Sequence, residues 1–158
     1  MKAAIAYEVS LGTYDYTFTI EETDGFITRL SFDPPQMEDV LIETPLLAEA
    51  KKQLDEYFQG ARQDFSLPLK MQGTPFQMQV WEALQKIPYG QTRSYGDVAA
   101  MIGNPRACRA VGTANRNNHI AILIPCHRVI NMSGSLGGFG GRPQLKRALL
   151  RVEGIYID

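Results

Sequence analysis

The chain has 158 residues, of which 44% are hydrophobic, 21% charged and 9% aromatic. This composition is typical of a globular protein of one or two domains and excludes a disordered or collagen-like chain. No apolar run reaches the roughly 18 residues of a membrane-spanning helix, and the N-terminus lacks the apolar core of a signal peptide. Two cysteines, Cys108 and Cys126, are too few for a disulfide framework or a four-thiolate zinc site. We therefore expect a cytoplasmic protein with free thiols and without a metal or another cofactor.

The net charge of -1 conceals a strong asymmetry between the two halves of the chain. Residues 1–70 carry 6 Lys or Arg and 13 Asp or Glu, whereas residues 71–158 carry 10 and 4. Eight of the ten C-terminal cations are arginines, whose planar guanidinium group suits phosphates. The asymmetry indicates a nucleic-acid-binding surface on the second half, with a charge-balanced interface between the halves as the alternative.

The first half predicts a small antiparallel sheet followed by one helix. Aromatic and β-branched residues form three runs that are separated by Gly-containing turns. Thr44 can cap a helix that has Pro45 in its first turn and Gly60 as its end, and its apolar stripe would cover one face of the sheet. The three strands are expected at residues 2–7, 13–20 and 26–32.

The second half predicts three helices. Thr74 can cap the first, and Ser94 with Asp97 forms a pattern that is typical of a capping box at the start of the second. The second and third helices are joined by a turn that contains Gly103, which is a helix-turn-helix pattern shared by many α-hairpins. The three helices are expected at residues 75–87, 95–102 and about 106–117.

The third helix carries cations on one side and small apolar residues on the other. At 100° per residue Arg106, Arg109, Thr113 and Arg116 fall on one face, and the helix contains no acidic residue. A solvated surface helix usually pairs its arginines with Glu. This pattern favours a face that binds nucleic acid.

The segment that follows, residues 121–130, reads AILIPCHRVI. One interpretation of Cys126 is an inert buried thiol. The other is a nucleophile, because His127 and Arg128 are neighbours of the kind that lower the pKa of a thiol. Adjacent residues of an extended chain point to opposite sides, so His127 is expected to act on Cys126 through a water molecule.

The run Ile-Pro-Cys-His-Arg-Val-Ile at 124–130 closely resembles the active-site motif of the O6-alkylguanine-DNA alkyltransferase family. The resemblance includes residues 103–112, 137–141 and 149–154, and in all it spans residues 74–154. It implies a DNA repair protein that flips O6-alkylguanine, and also O4-alkylthymine, out of duplex DNA. The alkyl group would pass irreversibly to Cys126, once per molecule, in a monomeric protein.

The fold implied by the resemblance is α+β with two domains. Residues 1–72 would form a small antiparallel sheet with a helix, similar to a ribonuclease H domain. Residues 73–158 would form a mainly helical, winged-helix-like domain that contains the helix-turn-helix, binds DNA and accepts the alkyl group.

The resemblance also implies roles for individual residues. Cys126 is similar to the acceptor nucleophile, His127 to its water-mediated base and Glu153 to the carboxylate that holds this imidazole. Asn118 is similar to the residue that braces the turn after the recognition helix against the active-site strand. Further DNA contacts are implied for Arg109, which would enter the base stack, and for Tyr95, Arg106, Thr113, Arg116 and Asn104. The implied substrate pocket consists of Tyr95, Asn115, Val129, Phe139, Gly140 and Gly141.

Two positions depart from the family pattern. Phe139 stands where some members have a Tyr whose hydroxyl holds the guanine oxygen, which leaves the backbone N–H of Gly140 as the candidate donor. Cys108 stands where Ala is common, and we interpret it as a small packing residue.

Two other functions remain open from the residues alone. A cysteine hydrolase would use Cys126 and His127, but it needs an oxyanion turn that is missing beside the cysteine. A non-catalytic module that recognises alkylated bases usually has Trp at the position of Cys126.

Overall fold

The computed structural model describes residues 1–157, and the chain divides into two compact units. The first unit contains Met1–Met71 and His119–Leu123. The second contains Gln72–Asn118 and the residues from Ile124 onward. The segment His119–Leu123, which the sequence assigns to the C-terminal domain, therefore belongs to the first unit by its contacts.

The first unit has an antiparallel sheet of three strands in the order β1-β2-β3. The turn between β1 and β2 contains Gly12 with a φ of +65°, and the next turn contains Asp24 and Gly25, both also at positive φ. These left-handed positions are the reason for the short polar and glycine residues between the strands. The strands are β1 (Lys2–Leu11), β2 (Tyr14–Thr23) and β3 (Phe26–Ser31).

Helix α1 (Pro45–Phe58) packs on this sheet. Thr44 is its N-cap, and the Thr44 side chain accepts a hydrogen bond of 3.1 Å from the Leu47 backbone N–H. The hydroxyl of Tyr7 on β1 donates to Asp55 on α1 at 2.6 Å, which fixes the helix to the sheet. The buried apolar side chains of the unit include Tyr7, Phe18, Ile20, Ile27, Leu30, Leu47, Leu54 and Tyr57.

The segment His119–Leu123 pairs with β3 by a single parallel bridge. Leu30 N–H donates to His119 O at 2.9 Å, and Ala121 N–H donates to Leu30 O at 3.1 Å. The chain then turns, with Ile122 at a φ of +69°. The prediction of extended chain in this segment is therefore wrong beyond the bridge, where the buried residues Ile122 and Leu123 form a turn.

The second unit is mainly helical. The Thr74–Gln77 and Ser94–Asp97 pairs both form complete capping boxes, at the starts of the helices α2 and α3. The strands β4 and β5 form one short parallel pair. Its elements are α2 (Pro75–Leu84), β4 (Arg93–Ser94), α3 (Tyr95–Met101), α4 (Cys108–Arg116), β5 (Val129–Ile130) and α5 (Pro143–Val152).

Helix α4 is held against α2 by the indole of Trp81, whose Nε1–H donates to Ala114 O at 2.9 Å. The helix begins at Cys108, two residues later than predicted, so Arg106 lies in the preceding turn rather than on the helix. The chain order of a three-stranded sheet, a helix and then a mainly helical unit confirms the predicted α+β class. Within residues 1–157 no helix is both long and apolar enough to cross a membrane.

Candidate active site and nucleic-acid interface

Cys126 begins a short 3-10 helix, Cys126–Arg128, directly before β5. This geometry corrects the extended chain that the sequence predicts at the cysteine. The thiol is buried, with 5% of the residue exposed, whereas Cys108 is exposed at the start of α4. Cys108 is therefore not the packing residue that the sequence suggests.

Burial raises the pKa of the Cys126 thiol, because a thiolate loses its hydration there. A hydrogen bond from Asn118, the positive charge of Lys146 and the backbone N–H groups of Cys126 and His127 act in the opposite direction. The expectation that Arg128 lowers this pKa is wrong. At neutral pH the group is a thiol that needs a base to become a nucleophile.

A base stands beside it in the sequence and is held by a buried carboxylate. His127 Nε2 lies 2.7 Å from Glu153 Oε2, and both side chains are fully buried. Burial lowers the pKa of His127, while the Glu153 carboxylate acts to raise it. The imidazole is thus neutral at neutral pH and able to accept a proton, and Glu153 would stabilise the cation that forms.

Glu153 is also the ion-pair partner of Arg128. Arg128 Nε and Nη2 donate to the two oxygens of Glu153 at 2.8 and 3.1 Å, and Arg128 Nη1 donates to Ile87 O at 2.6 Å. The Gly90 backbone N–H donates to Glu153 Oε1 at 3.0 Å. The buried carboxylate therefore has one fork-shaped cation, one imidazole and one backbone donor around it.

Two asparagines hold the chain on either side of the nucleophile. Asn118 Nδ2 donates to Ile124 O at 2.9 Å, and this hydrogen bond joins the two ends of the segment between Asn118 and Ile124. Asn115 Nδ2 donates to Cys126 O at 3.3 Å, and only 4% of Asn115 is exposed. The structure thus brings Cys126, His127, Glu153, Asn115 and Asn118 together in one unit, as the resemblance implies.

Lys146 on α5 was not predicted as a site residue. Its side chain is fully buried, and Nζ donates to Val129 O at 2.6 Å and to Gly138 O at 3.3 Å. Burial lowers its pKa to about 8, with the Cys126 thiolate acting to raise it. Lys146 lies in the apolar stripe that Leu145, Leu149 and Leu150 form on the helix, so a lysine in a hydrophobic stripe was the signal that could have revealed it.

The loop after β5 carries the predicted pocket residues. Val129 is buried and Phe139 is half-buried with its ring centroid 5.7 Å from Lys146 Nζ. Gly140 and Gly141 are exposed at positive φ. The role of the Gly140 backbone N–H as the donor to a guanine oxygen stays a prediction.

Gly137 allows this loop to approach Tyr95 closely. A Cβ atom at Gly137 would lie 3.3 Å from Tyr95 Oη and 3.4 Å from Asn131 Oδ1, and the φ of Gly137 is +78°. Both observations require glycine here. Burial raises the pKa of Tyr95, and the Cys126 thiolate raises it further, so the phenol remains a hydrogen-bond donor at neutral pH.

An open cavity of about 520 Å³ lies beside the exposed face of α4. Three predicted DNA-binding residues of α4 line it, together with Tyr95 from α3. Arg106 and Asn104 are exposed in the turn before α4 and do not line the cavity. Residues that the sequence did not single out for DNA contact complete its wall. The lining residues are Tyr95, Cys108, Arg109, Gly112, Thr113, Arg116, Asn131 and Gly138.

Two family models match the chain. The 6-O-methylguanine DNA methyltransferase DNA binding domain matches residues 75–155, and the ribonuclease-like domain of the same methyltransferase matches residues 7–71. The constitutive methylated-DNA–protein-cysteine methyltransferase of Bacillus subtilis is 56% identical over 114 residues, which cover 72% of this chain and 69% of the relative. The Mycobacterium leprae methyltransferase is 53% identical over 113 residues, or 72% of this chain and 68% of the relative.

Solved structures agree over nearly the whole chain. The Mycobacterium tuberculosis O6-methylguanine methyltransferase is 40% identical with a TM-score of 0.86, covering 97% of this chain and 93% of that protein. A Mycobacterium tuberculosis OGT in complex with DNA is 41% identical with a TM-score of 0.85, covering 96% of this chain and 92% of that protein.

Fold and site together define an α+β protein in which a buried, hydrogen-bonded cysteine follows an arginine-bearing helix of a helical unit. The chain belongs to the 6-O-methylguanine DNA methyltransferase family, with both the ribonuclease-like and the DNA-binding domain. The predicted resemblance is thereby confirmed, and with it the activity of a DNA-binding repair methyltransferase that transfers the alkyl group to its own cysteine.

Proposed function

We propose that this chain repairs O6-alkylguanine in duplex DNA by transferring the alkyl group to Cys126. The observation that carries the proposal is the setting of Cys126, a buried thiol bonded to Asn118 and adjacent to an imidazole that Glu153 holds at 2.7 Å. Family membership supports the reaction class. Cytoplasmic action as a monomer is part of the same proposal, as is a reaction with O4-alkylthymine.

The chemistry is a displacement at the saturated carbon of the alkyl group. The Cys126 proton passes to His127 through a water molecule, and a sulfur lone pair forms the new S–C bond. The C–O6 bond breaks and its electron pair goes to the guanine, which stays in the DNA strand. The guanine takes up one proton at its ring nitrogen N1, which balances the proton lost by Cys126, and so regains its ordinary form. The thioether has no hydrolytic exit, so each molecule reacts once.

The DNA-binding roles follow from the exposed face of α4. Arg109 would occupy the space left in the base stack after the nucleotide is flipped out, and Arg116 and Thr113 would contact the backbone of the DNA. Tyr95 would donate a hydrogen bond to the extruded base, since its raised pKa keeps the phenol protonated. The cavity of about 520 Å³ beside these residues would receive the DNA at the exposed face of α4.

The test is incubation with an excess of duplex DNA containing a single O6-methylguanine, followed by counting of the repaired duplexes and by intact-protein and peptide mass spectrometry. We expect one methyl group per molecule, on Cys126 and not on Cys108. Cys126→Ala should bind the same duplex and repair none. Several turnovers per molecule would favour a cysteine hydrolase instead, and labelling confined to Cys108 would refute the assignment of the nucleophile.

A further inference from the structure

Asn115 holds a buried acceptor that the proposed reaction does not use. Its Nδ2 donates to Cys126 O, and Oδ1 is closed to solvent and accepts no hydrogen bond from any group among residues 1–157. Exchanging the two ends of the amide would place Oδ1 against the Cys126 carbonyl oxygen, so the assignment of oxygen and nitrogen is set by the contact itself. An unsatisfied buried acceptor is uncommon and requires an explanation.

Asn115 carries this acceptor on a buried position of α4, and its amide contacts the backbone of the nucleophile. Gly112 lies one turn earlier on the same face of α4, and a Cβ atom there would be 3.9 Å from the ring of Tyr95. Asn115 itself is bonded to the nucleophile's own carbonyl. A base that brings its alkyl carbon to the Cys126 sulfur would lie next to the residue whose backbone carbonyl Asn115 holds.

We propose that Asn115 Oδ1 accepts a hydrogen bond from the exocyclic 2-amino group of the extruded guanine and so selects guanine lesions over thymine lesions. This proposal rests on the proposed function of Cys126. Asn115 acts on the choice of base, while the displacement belongs to the cysteine.

The chemistry of the two lesions explains the selection. O6-Alkylguanine presents an amino group with two N–H donors. O4-Alkylthymine has lost its ring N–H to the alkylation and presents only acceptors on its pairing edge. With alkylguanine the buried acceptor gains its missing partner, whereas with alkylthymine it stays unsatisfied next to another acceptor.

Three duplexes of the same sequence test the role of the amino group. They contain O6-methylguanine, O6-methylhypoxanthine, which lacks only the 2-amino group, or O4-methylthymine. Single-turnover rates of methyl transfer to Cys126 are measured with saturating DNA and at limiting DNA. We expect the native protein to prefer methylguanine over methylhypoxanthine by about tenfold or more, since one hydrogen bond to a buried acceptor is at stake.

Asn115→Leu removes the acceptor, together with the donor to Cys126 O, and keeps the branched shape and the number of heavy atoms of the side chain. The guanine-to-hypoxanthine rate ratio should fall to about one, and the relative rate on methylthymine should rise. Asn115→Met provides the same test if the Leu variant does not fold. Asn117→Ala, an exposed residue two positions along the chain, is the matched control and should keep the native ratio.

The outcomes are distinguishable. A native ratio near one, or a variant that slows both purine substrates equally and keeps the native ratio, overturns the specificity role and leaves Asn115 as a brace for the Cys126 backbone. Failure of the native protein to methylate Cys126 with any of the duplexes instead refutes the proposed function.

Discussion

Glu153→Gln should destabilise the second unit strongly, because it removes one charge from a fully buried network. The carboxylate accepts hydrogen bonds from His127, from Arg128 at 2.8 and 3.1 Å and from Gly90 N–H at 3.0 Å. Glutamine offers one oxygen in place of two, and its amide N–H groups meet groups that are themselves donors. Arg128, 8% exposed at its side chain, would keep its charge without a counterion.

The expected loss is about 3 to 5 kcal/mol, the usual cost of breaking one side of a buried ion pair. Urea unfolding can measure it through the fluorescence of Trp81, the single tryptophan, which is buried in the second unit. With a slope of about 1 to 3 kcal/mol per M urea, the midpoint should fall by roughly 1 to 5 M. The probe reports on the unit that contains the network.

The matched control is the double variant Arg128→Met/Glu153→Gln, which removes the cation together with its partner. It should recover part of the lost stability, because no buried charge remains unpaired. A Glu153→Gln protein with an unchanged midpoint would refute the view that this carboxylate stabilises the unit. A double variant less stable than the single variant would show that the arginine contributes mainly through Ile87 O and packing.

The remaining predictions concern charge, DNA and the reacted protein. In a Cys126→Ala background, the free energy of unfolding, compared with that of Lys146→Met/Cys126→Ala, should rise between about pH 8 and pH 10. With Cys126 present the folded-state pKa of Lys146 is about 8 against an ordinary 10.5, and the loss of Cys126 removes the charge that acts to raise it, so the unfolded chain binds more protons than the folded chain in this range. A difference that does not change with pH in urea titrations would contradict this. Arg109→Ala should slow repair of a duplex lesion more than reaction with free O6-benzylguanine, because only the duplex lesion has to be flipped out. Arg151→Ala, which removes an exposed charge on α5, is the control and should affect neither reaction. Equal losses for Arg109→Ala on both substrates would contradict a role of Arg109 in flipping. Benzylation of Cys126, which is 5% exposed, should lower the melting temperature by several degrees, since overpacking costs about 1 to 3 kcal/mol. An unchanged melting temperature in differential scanning fluorimetry would indicate unfilled space around the sulfur.

Local features of the fold could be predicted from the sequence because their causes lie within a few residues. Thr44, Thr74 and Ser94 cap helices α1, α2 and α3 as predicted. The three strands appear at the expected runs, with ends that differ by a few residues. Capping side chains, alternating apolar residues and glycine turns act over three or four positions, so the order of residues alone specifies them.

The candidate site was predicted in its composition but not in its connections. The cysteine motif indicated Cys126 and His127, and only the resemblance implied Glu153, which is 26 residues further along the chain. Arg128 pairs with Glu153 and not with the thiol, because the end of α5 lies against the 3-10 helix that contains Arg128. Lys146 could not be assigned, because its carbonyl partners come from two other segments.

By itself the sequence determined the class of fold, the chemical identity of the nucleophile and the basic face of α4. The tertiary structure decided which polar groups satisfy one another in the interior, and that the segment 119–123 pairs with β3 of the first unit. The physical reason is burial. Once water is excluded, each charge and amide must find a partner from whichever segment packs nearby, and the distances that decide this are set by packing across the fold rather than by spacing along the chain.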